Sequence, residues 1–358
     1  MPRSEINRIS QTQIANELGF SQALVSMALN GRKKGISEST YKTIWDYAIQ
    51  HGYSPRGMKI ETAKENGSTT TISYILRSPL KLANKSNFFS HVHQGLHDRL
   101  HSNGIKTIFL GSEDEINEDI KDKPFVLTDL VDGIAIMGEV QPEFFEKVRT
   151  LGKPIVYISS RATGKCHSVL SNEEESAEIL VDHLCSLGHS EFAWLGGNQH
   201  MGRFHDRLNG LKRALKSRGL ELESRFLLSS IEADRKEGSE FARKIMDTCK
   251  DSSLPSAWVC LNGLIARGAI NYLFQNGIQV GTDVSVAAID MTTVCQEESP
   301  IITCAGADPE VLGAEAGRIL ITALSGETAA LTDVTLPSKS LVGESTGPAP
   351  ILASRQES

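Results

Sequence analysis

Residues 10–30 read SQTQIANELGFSQALVSMALN, a stretch that predicts two short helices joined by a tight turn. Ser10 followed three residues later by Gln13 is a capping box, in which each side chain can bond the backbone N–H of the other residue. Gly19 is expected to end the first helix, because glycine adopts a left-handed backbone at low cost. Ser21 can cap the second helix. The stretch therefore predicts a helix-turn-helix.

The second of these helices has two different faces. Val25, Ala28 and Leu29 recur at three- and four-residue spacing and are expected to face a core. The opposite face is small or amide-bearing, and it consists of Gln22, Ala23, Ser26, Met27 and Asn30. A short helix with such a face, held by a partner helix, suits the major groove of DNA. An ordinary helical hairpin at the start of a globular domain is the alternative that this stretch alone leaves open.

The residues that follow favour the DNA-binding interpretation. The loop at 30–35, NGRKKG, is basic and suited to phosphate contacts. Ser37 can cap a third helix that Gly52 and Pro55 end. Its apolar stripe is expected to close a three-helix core and consists of Tyr41, Ile44, Trp45, Ala48 and Ile49.

Two segments carry a family resemblance: AxxLGFSQALVSMALNG, which begins at Ala15, and GISESTYKTIWDYAIQHGYSP, which begins at Gly35. Together they resemble, without a gap, the DNA-binding headpiece of the lactose-repressor (LacI/GalR) family of transcriptional regulators. Members of that family often read bases with the residues just after the capping serine and with an arginine in a V-S-R word. The resemblance implies that Gln22, Ala23 and Met27 occupy those positions here.

These three residues predict an operator unlike the common family type. Gln22 can pair with an adenine edge, whereas Met27 cannot make the bidentate guanine contact of an arginine but can touch thymine methyl groups. The neighbouring polar and basic residues are expected to contact phosphates, and these are Ser21, Ser26, Asn30, Arg32, Lys33 and Lys34. The alternative is that the loop charges are simply solvated.

The domain order follows from composition. We expect residues 1–57 to form the headpiece. Residues 58–69 are polar and show no apolar periodicity, so we expect them to form a hinge or linker. In the family a leucine of the hinge wedges into the minor groove, and the matching residue here is Thr62. Met58 or Ile60 are the substitute wedges that the sequence offers.

Charge divides the chain in the same way. Residues 1–60 carry a net charge of +4, from eight Lys or Arg against four Asp or Glu, whereas the remainder carries -11. A basic headpiece on an acidic body fits local binding of nucleic acid. The start of the sequence lacks the apolar core of a secretory signal, and no run is long enough to span a membrane, so we expect a cytoplasmic protein. Its six scattered cysteines indicate reduced thiols, and the sequence predicts no cofactor.

From Thr70 the sequence alternates apolar runs with amphipathic helices in two successive rounds, which predicts two α/β lobes with parallel sheets. We expect this effector-binding and dimerisation domain to span 70–346, with the lobes divided near 160 and 293, and a flexible tail at 347–358. Words such as VDGI at 131–134, RLNG at 207–210 and VSVAAID at 284–290 continue the family resemblance. The resemblance implies an all-α helix-turn-helix headpiece joined to an α/β body that looks like a periplasmic sugar-binding protein.

Ligands of open α/β lobes bind at the carboxyl ends of the strands, so the cleft between two lobes is the expected site. Ser78, Ser159 and Arg161 follow strands, and the predicted effector-binding residues are Phe88, Phe89, Asn172, Glu175, Arg207, Asn262 and Asp290. In the family, the arginine of R-L-x-G and the aspartate closing V-x-x-x-D contact the effector, and the matching residues are Arg207 and Asp290. A guanidinium and a carboxylate suit the adjacent hydroxyls of a polyol. The alternative is that both residues belong to structural ion pairs.

Two positions depart from the family's sugar-binding pattern. Gly263 replaces the aspartate of an N-D word, and Ala233 stands where sugar-binding members often place a stacking aromatic residue. His93, His97 and His101 recur every four residues, which is metal-ligand spacing, although solvated histidines are commoner. No paired catalytic acids and no nucleophile elbow are present.

The sequence thus predicts a homodimeric, ligand-controlled DNA-binding regulator, most simply a repressor of a pseudo-palindromic operator with a carbohydrate-type effector. A sugar-binding module with a degenerate headpiece is the alternative, and an α/β enzyme is the third possibility.

Overall fold

The computed structural model describes residues 10–29, 35–50, 70–78, 88–122, 131–250, 252–297, 299–326 and 330–350. The chain forms two compact units, Met1–Ser68 and Thr69–Ser358. The predicted hinge residues Met58, Ile60 and Thr62 lie outside the described residues.

Within residues 10–29 and 35–50, the headpiece forms three helices, α1 (Gln11–Leu18), α2 (Gln22–Leu29) and α3 (Glu38–Gln50). The Gln13 backbone N–H donates to Ser10 Oγ at 3.2 Å, and the Ser10 N–H donates to Gln13 Oε1 at 2.8 Å, which completes the predicted capping box. Gly19 ends α1 at φ +70°. Ser21 Oγ accepts the Leu24 N–H at 3.2 Å and caps α2.

The three helices share one apolar core. Ile14, Val25 and Ile44, one from each helix, are fully buried at its centre. The Trp45 indole N–H donates to the Ala28 carbonyl at 3.1 Å and ties α3 to the end of α2. The exposed face of α2 is therefore held by a packed scaffold.

The described part of the body contains two six-stranded sheets, with strands numbered in chain order. The first sheet consists of β1 (Thr71–Leu76), β2 (Lys106–Ser112), β3 (Gly133–Met137), β4 (Ile155–Ile158), β5 (His167–Ser171) and β11 (Asp333–Leu336). The second consists of β6 (Phe192–Leu195), β7 (Leu227–Leu228), β8 (Ala257–Cys260), β9 (Ser285–Ile289), β10 (Thr303–Gly306) and β12 (Lys339–Leu341). Their strand orders are β11-β5-β4-β3-β1-β2 and β12-β10-β9-β8-β6-β7. Among the described strands every pairing is parallel except that of β10 with β12, so the predicted fold class is confirmed.

Helices cover the sheets. They are α4 (Phe88–His101), α5 (Glu113–Asp122), α6 (Pro142–Arg149), α7 (Glu173–Ser186), α8 (Gly202–Lys216), α9 (Arg235–Thr248), α10 (Gly263–Gln275), α11 (Thr293–Gln296) and α12 (Pro309–Ser325). Every residue of the central strands β3, β8 and β9 is buried, because both faces of each sheet are covered. This burial explains their nearly continuous apolar sequences.

The lobe boundaries differ from the predicted positions near 160 and 293. The chain leaves the first sheet only after β5 and returns to it after β10, through α12, which packs against α4. It crosses a third time between β11 and β12. The first crossing lies later than predicted because β5, HSVLS, carries polar residues that the sequence pattern does not mark as a strand, yet Ser168 is fully buried there.

The end of the described body is packed onto the second lobe. His189 Nε2 lies 3.0 Å from the Gly347 carbonyl, and the Ala349 N–H donates to the Leu187 carbonyl at 2.8 Å. The first residues of the predicted tail at 347–358 therefore belong to the fold, whereas 351–358 lie outside the described residues.

Candidate functional site

The carboxyl ends of strands from both sheets meet at a cavity of about 220 Å³. Five of the predicted effector-binding residues line it, and these are Phe88, Phe89, Arg207, Asn262 and Asp290. The structure thus brings together side chains from helix starts and strand ends that are far apart in the sequence.

Arg207, on the first half of α8, is buried and bonded on two sides. Its Nε donates to Glu173 Oε2 at 2.6 Å, and its Nη1 donates to the Leu261 carbonyl at 2.5 Å. Burial alone would raise the pKa of the Glu173 carboxyl, but the charges of Arg207 and Arg203 outweigh it and hold the pKa below its usual value. Arg207 therefore forms a structural ion pair, as the alternative prediction has it, and it also lines the cavity.

Asp290, just after β9, is held by the backbone. Its Oδ2 accepts the Gly263 N–H at 2.9 Å and its Oδ1 accepts the Met291 N–H at 2.8 Å. A Cβ at position 263 would lie 2.7 Å from Cys295 Sγ and 3.3 Å from Asp290 Oδ2. Gly263, the departure from the family's N-D word, is thus required by the close approach of its neighbours in this chain.

Asn262 caps α10, since its Oδ1 accepts the Ile265 N–H at 2.9 Å, and its Nδ2 donates to the Ala233 carbonyl at 3.0 Å. Ala233 itself lines the cavity, so this position carries no stacking ring. The aromatic rings at the cavity belong instead to Phe88, Phe89 and Phe204.

Sequence reasoning missed Arg203, one turn before Arg207 on α8. Its Nε donates to Glu173 Oε1 at 3.0 Å, and its guanidinium carbon lies 4.7 Å from the centre of the Phe88 ring, within cation–π range. Burial, together with the charge of Arg207, lowers the pKa of Arg203. The signal that was available is the R-x-x-x-R spacing, which places two guanidiniums on one helix face.

The first lobe contributes Arg77 and Ser159, which follow β1 and β4. Ser159 was noted in the sequence only as a strand-end residue, and Arg77 was missed. A Cβ on Gly138 would lie 2.6 Å from Arg77 Cδ and 2.9 Å from Phe89 Cζ. Gly138, at φ +84°, therefore leaves the space in which the Arg77 stem and the Phe89 ring pack.

Two of the predicted effector-binding residues lie away from this cavity. Asn172 caps α7 by accepting the Glu175 N–H at 3.2 Å, and it lines an adjoining polar hollow of about 470 Å³. Glu175 Oε2 accepts the Ser338 N–H at 2.7 Å and thereby holds the connection between β11 and β12. Ser159 and Arg203 line both spaces, so the two hollows adjoin at these residues.

The two lobes touch across the cleft through α8. The Gly202 N–H donates to Glu139 Oε2 at 2.7 Å, and Arg203 lies over Phe88 as described. Glu139 follows β3 of the first sheet, whereas Gly202 and Arg203 begin a helix of the second lobe. A ligand in the cavity would lie beside both contacts.

The predicted base-reading residues lie on the surface of α2. Gln22 and Ala23 are exposed, as is Met27, and Ser26 is half-buried. Ser21 is exposed and caps the helix. Asn30, Arg32, Lys33 and Lys34 lie outside the described residues. The described part of the headpiece therefore presents an amide, a methyl and a thioether side by side.

The histidine stripe of α4 takes part in ring stacking. The His93 ring lies 4.4 Å from that of Tyr74, and the His97 and His101 rings are 5.5 Å apart. His97 Nδ1 lies 2.8 Å from Thr107 Oγ1. Among the described residues, no group of three or more His, Cys, Asp or Glu side chains is placed to hold a metal ion. In the same part of the chain, no helix is both long and apolar enough to cross a membrane.

Comparison with known proteins places this geometry in context. Residues 181–346 match the family model described as a periplasmic binding protein-like domain. The HTH-type transcriptional repressor PurR of Actinobacillus pleuropneumoniae serotype 3 (strain JL03) is 23% identical over 314 residues, which cover 86% of this chain and 89% of that protein.

Two solved structures share the fold. The transcriptional regulator CelR in complex with cellobiose superposes with a TM-score of 0.67 at 21% identity and covers 94% of this chain and 100% of its own. The Lac repressor dimer bound to operator and the anti-inducer ONPF gives a TM-score of 0.67 at 19% identity. The match covers 95% of this chain and 99% of that chain. The relatives are transcriptional regulators and not enzymes, and the predicted resemblance to the lactose-repressor family is confirmed.

Proposed function

We propose that this relative of the LacI-family repressors is itself a ligand-responsive, non-enzymatic repressor, which binds a pseudo-palindromic operator as a homodimer and a small carbohydrate-type effector in its cleft. The observation that carries the proposal is the pairing, in one chain, of an exposed acid-free helix face with a cleft lined by aromatic and charged side chains. Since it would act on chromosomal DNA, we place the protein in the cytoplasm.

In this proposal α2 enters the major groove. Gln22 is exposed and carries both the donor and the acceptor needed for an adenine edge, while Met27, 37% exposed, offers apolar contact to a thymine methyl group. The Trp45 bond to Ala28 and the buried Ile14, Val25 and Ile44 hold this face in place. The relation to a helix-turn-helix repressor supports the same role.

The exposed edge of the first sheet supports self-association. β2 is the edge strand, and its Ile108 and Phe109 are 43% and 39% exposed. Large apolar side chains on an edge strand are a liability unless another surface covers them. A second copy of the chain is the occupant that a two-fold operator requires.

Effector control would act through the contacts that α8 makes across the cleft. A ligand beside the Glu139–Gly202 hydrogen bond and the Arg203–Phe88 contact would favour one arrangement of the lobes. The coupling free energy expected for such a device is about 1–3 kcal/mol, which corresponds to a change in DNA affinity of roughly 5- to 150-fold.

Selection of bound sequences from random DNA tests the DNA-binding half of the proposal. The purified full chain should enrich a site with two-fold symmetry, and its affinity should fall as the salt concentration rises. Gln22→Ala should weaken binding to the selected site by about 1–3 kcal/mol and relax the preference at one base in each half-site.

Asn16→Ala is the matched control, because Asn16 is also an exposed amide but lies on α1, outside the proposed reading helix. It should leave the base preference unchanged. Failure to enrich any sequence would favour the alternative, a ligand-binding module with a degenerate headpiece, for which Met27 in place of an arginine is the supporting feature.

A further inference from the structure

Arg77 is a cation at the cavity wall that has no ion-pair partner among the described residues. Its guanidinium Nη1 lies 3.9 Å from Met201 Sδ, and no carboxylate oxygen of the described residues lies within 4.0 Å of it. Its stem is packed in the space that Gly138 leaves beside Phe89. A guanidinium that is held at a cleft and has no bonded carboxylate among the described residues is available to an anion.

The acids nearest to Arg77 act on it only at longer range. Burial lowers the pKa of Arg77, and the charges of Glu139, Glu232 and Glu113 oppose this shift without making an ion pair. Two of these carboxylates already accept backbone N–H groups, Glu113 from Gln141 at 2.8 Å and Glu139 from Gly202 at 2.7 Å. These carboxylates therefore do not take the place of an ion-pair partner for Arg77.

Ser159 is a second unmet polar group on the same wall. Its side chain is 4% exposed, and its hydroxyl has no hydrogen-bond partner among the described residues. Its backbone adopts φ +62°, an uncommon conformation for a residue with a side chain. A buried hydroxyl without a partner costs stability unless a ligand supplies one.

The opposite wall carries charges of both signs, and its two arginines are already paired. Arg203 and Arg207 share the single carboxylate of Glu173. The remaining acids at the cavity are Glu139, Asp290 and Glu232, of which Asp290 already accepts two backbone N–H groups and Glu232 is half-buried.

We infer that the cleft binds an anionic effector, a small polyol carrying a carboxylate or a phosphate, with the anion on Arg77 and Ser159. The inference rests on the proposed function and adds the chemical class of the effector. The carbon skeleton of the ligand would pack on the aromatic side of the cavity, beside Phe89 and Phe204. A neutral sugar or a purine could accept hydrogen bonds from Arg77 and satisfy the Ser159 hydroxyl, but it would leave the Arg77 charge without a counter-charge.

Thermal-shift and calorimetric titrations of the full chain with matched ligand sets test the inference. Each set contains a neutral sugar, its sugar acid and its phosphate ester, for example glucose, gluconate and glucose 6-phosphate, or ribose, ribonate and ribose 5-phosphate, with hypoxanthine as a neutral heterocycle. At least one acid or phosphate should raise the melting temperature where its neutral counterpart does not. Whether the sugar acid or the phosphate ester binds shows which of the two anions the cleft prefers, a carboxylate or a phosphate.

Arg77→Met keeps an unbranched stem and removes the charge. It should weaken binding of the anionic ligand by about 10- to 100-fold, and Ser159→Ala should weaken it less. Arg149→Met is the control, because Arg149 is an exposed arginine of α6 paired with Glu146. Melting curves without ligand check that each variant is folded.

The outcomes separate this inference from the proposed function. A neutral member that binds alone and changes operator affinity would overturn the anionic class while upholding the regulator. Equal binding of the anion by wild type and Arg77→Met would likewise overturn it, as would the absence of a shift with every anionic member. An anion that depends on Arg77 but leaves DNA binding unchanged would uphold the site and contradict the proposed control of transcription.

Discussion

The two walls of the cleft differ in how completely their polar groups are paired. On the second lobe, Arg207 is bonded to Glu173 and to a carbonyl, and Asp290 accepts two backbone N–H groups. On the first lobe, among the described residues, the Arg77 guanidinium bonds to the Met201 thioether and to no carboxylate, and the Ser159 hydroxyl has no hydrogen-bond partner. The same cavity is thus lined by one wall that is satisfied without a ligand and one that is not.

Because of this difference, substitutions on the two walls should have different effects, one on folding stability and the other on ligand binding. A buried charge whose partner is removed costs several kcal/mol, so paired groups on the second lobe should be sensitive to substitution even without ligand. Groups that are already unpaired have little to lose, so substitutions on the first lobe should appear mainly in binding. Four measurements of folding stability sharpen this comparison.

The largest effect is expected from Glu173→Ala. Glu173 is 7% exposed and is the shared carboxylate of the buried Arg207 and the half-buried Arg203, so its removal should lower the free energy of unfolding of the body by about 3–5 kcal/mol. Denaturant unfolding measures this quantity. Glu174→Ala is the matched control, since Glu174 is an adjacent, exposed carboxylate paired with Arg213, and its loss should cost at most about 1 kcal/mol. Similar losses in the two variants would contradict the assigned difference.

A second effect is expected in acid. The pKa of Glu173 is lower in the folded protein than its ordinary value of 4.5, so the unfolded chain binds the proton more readily. The stability contributed by this carboxylate is therefore complete above about pH 4.5 and is lost as the pH falls through the folded pKa. As the pH is lowered over this range, the free energy of unfolding of Glu173→Gln should fall less steeply than that of wild type. An equal pH dependence in the two proteins would argue against the assignment.

A smaller effect is expected from Arg77→Met in the absence of ligand. The variant loses no ion pair among the described residues and keeps the stem that packs beside Phe89. Its free energy of unfolding should change by less than about 1 kcal/mol, in either direction. A loss as large as that of Glu173→Ala would mean that Arg77 has a structural partner, and the contrast between the walls would fail.

The smallest effect is expected from Ser159→Ala. The substitution removes a buried hydroxyl that is unpaired among the described residues, so unliganded stability should stay within about 0.5 kcal/mol of wild type or rise slightly. Calorimetric unfolding with and without the effector distinguishes a structural role of Ser159 from a ligand-binding role. Ser159→Ala should be less stable than wild type only when the effector is bound. A clear loss in the unliganded protein would show that the hydroxyl has a partner there.

The headpiece illustrates what local chemistry is able to predict. The capping box of Ser10 and Gln13 and the end of α1 at Gly19 agree with the sequence, because each depends on neighbours within a few residues. The apolar spacing within each helix likewise indicated which face is buried, as Ile14, Val25 and Ile44 show. The alternation of the body into two parallel sheets was predictable for the same reason. The site residues Arg207, Asn262 and Asp290 followed from family resemblance and strand ends, and they do line one cavity.

The pairing of the cleft residues depended on long-range packing. No spacing rule brings Glu173 to Arg207 or Met201 to Arg77, because these contacts form only after separate helices and strands have packed. β5 was hidden for a related reason: its polar residues His167 and Ser168 are buried, and β5 lies between β4 and β11, the second of which comes from a distant part of the chain. The linear pattern therefore specifies the elements and the fold class, whereas the folded arrangement decides which polar groups of the cleft are paired among the described residues and which are not, since burial and counter-charge are properties of the assembled cleft.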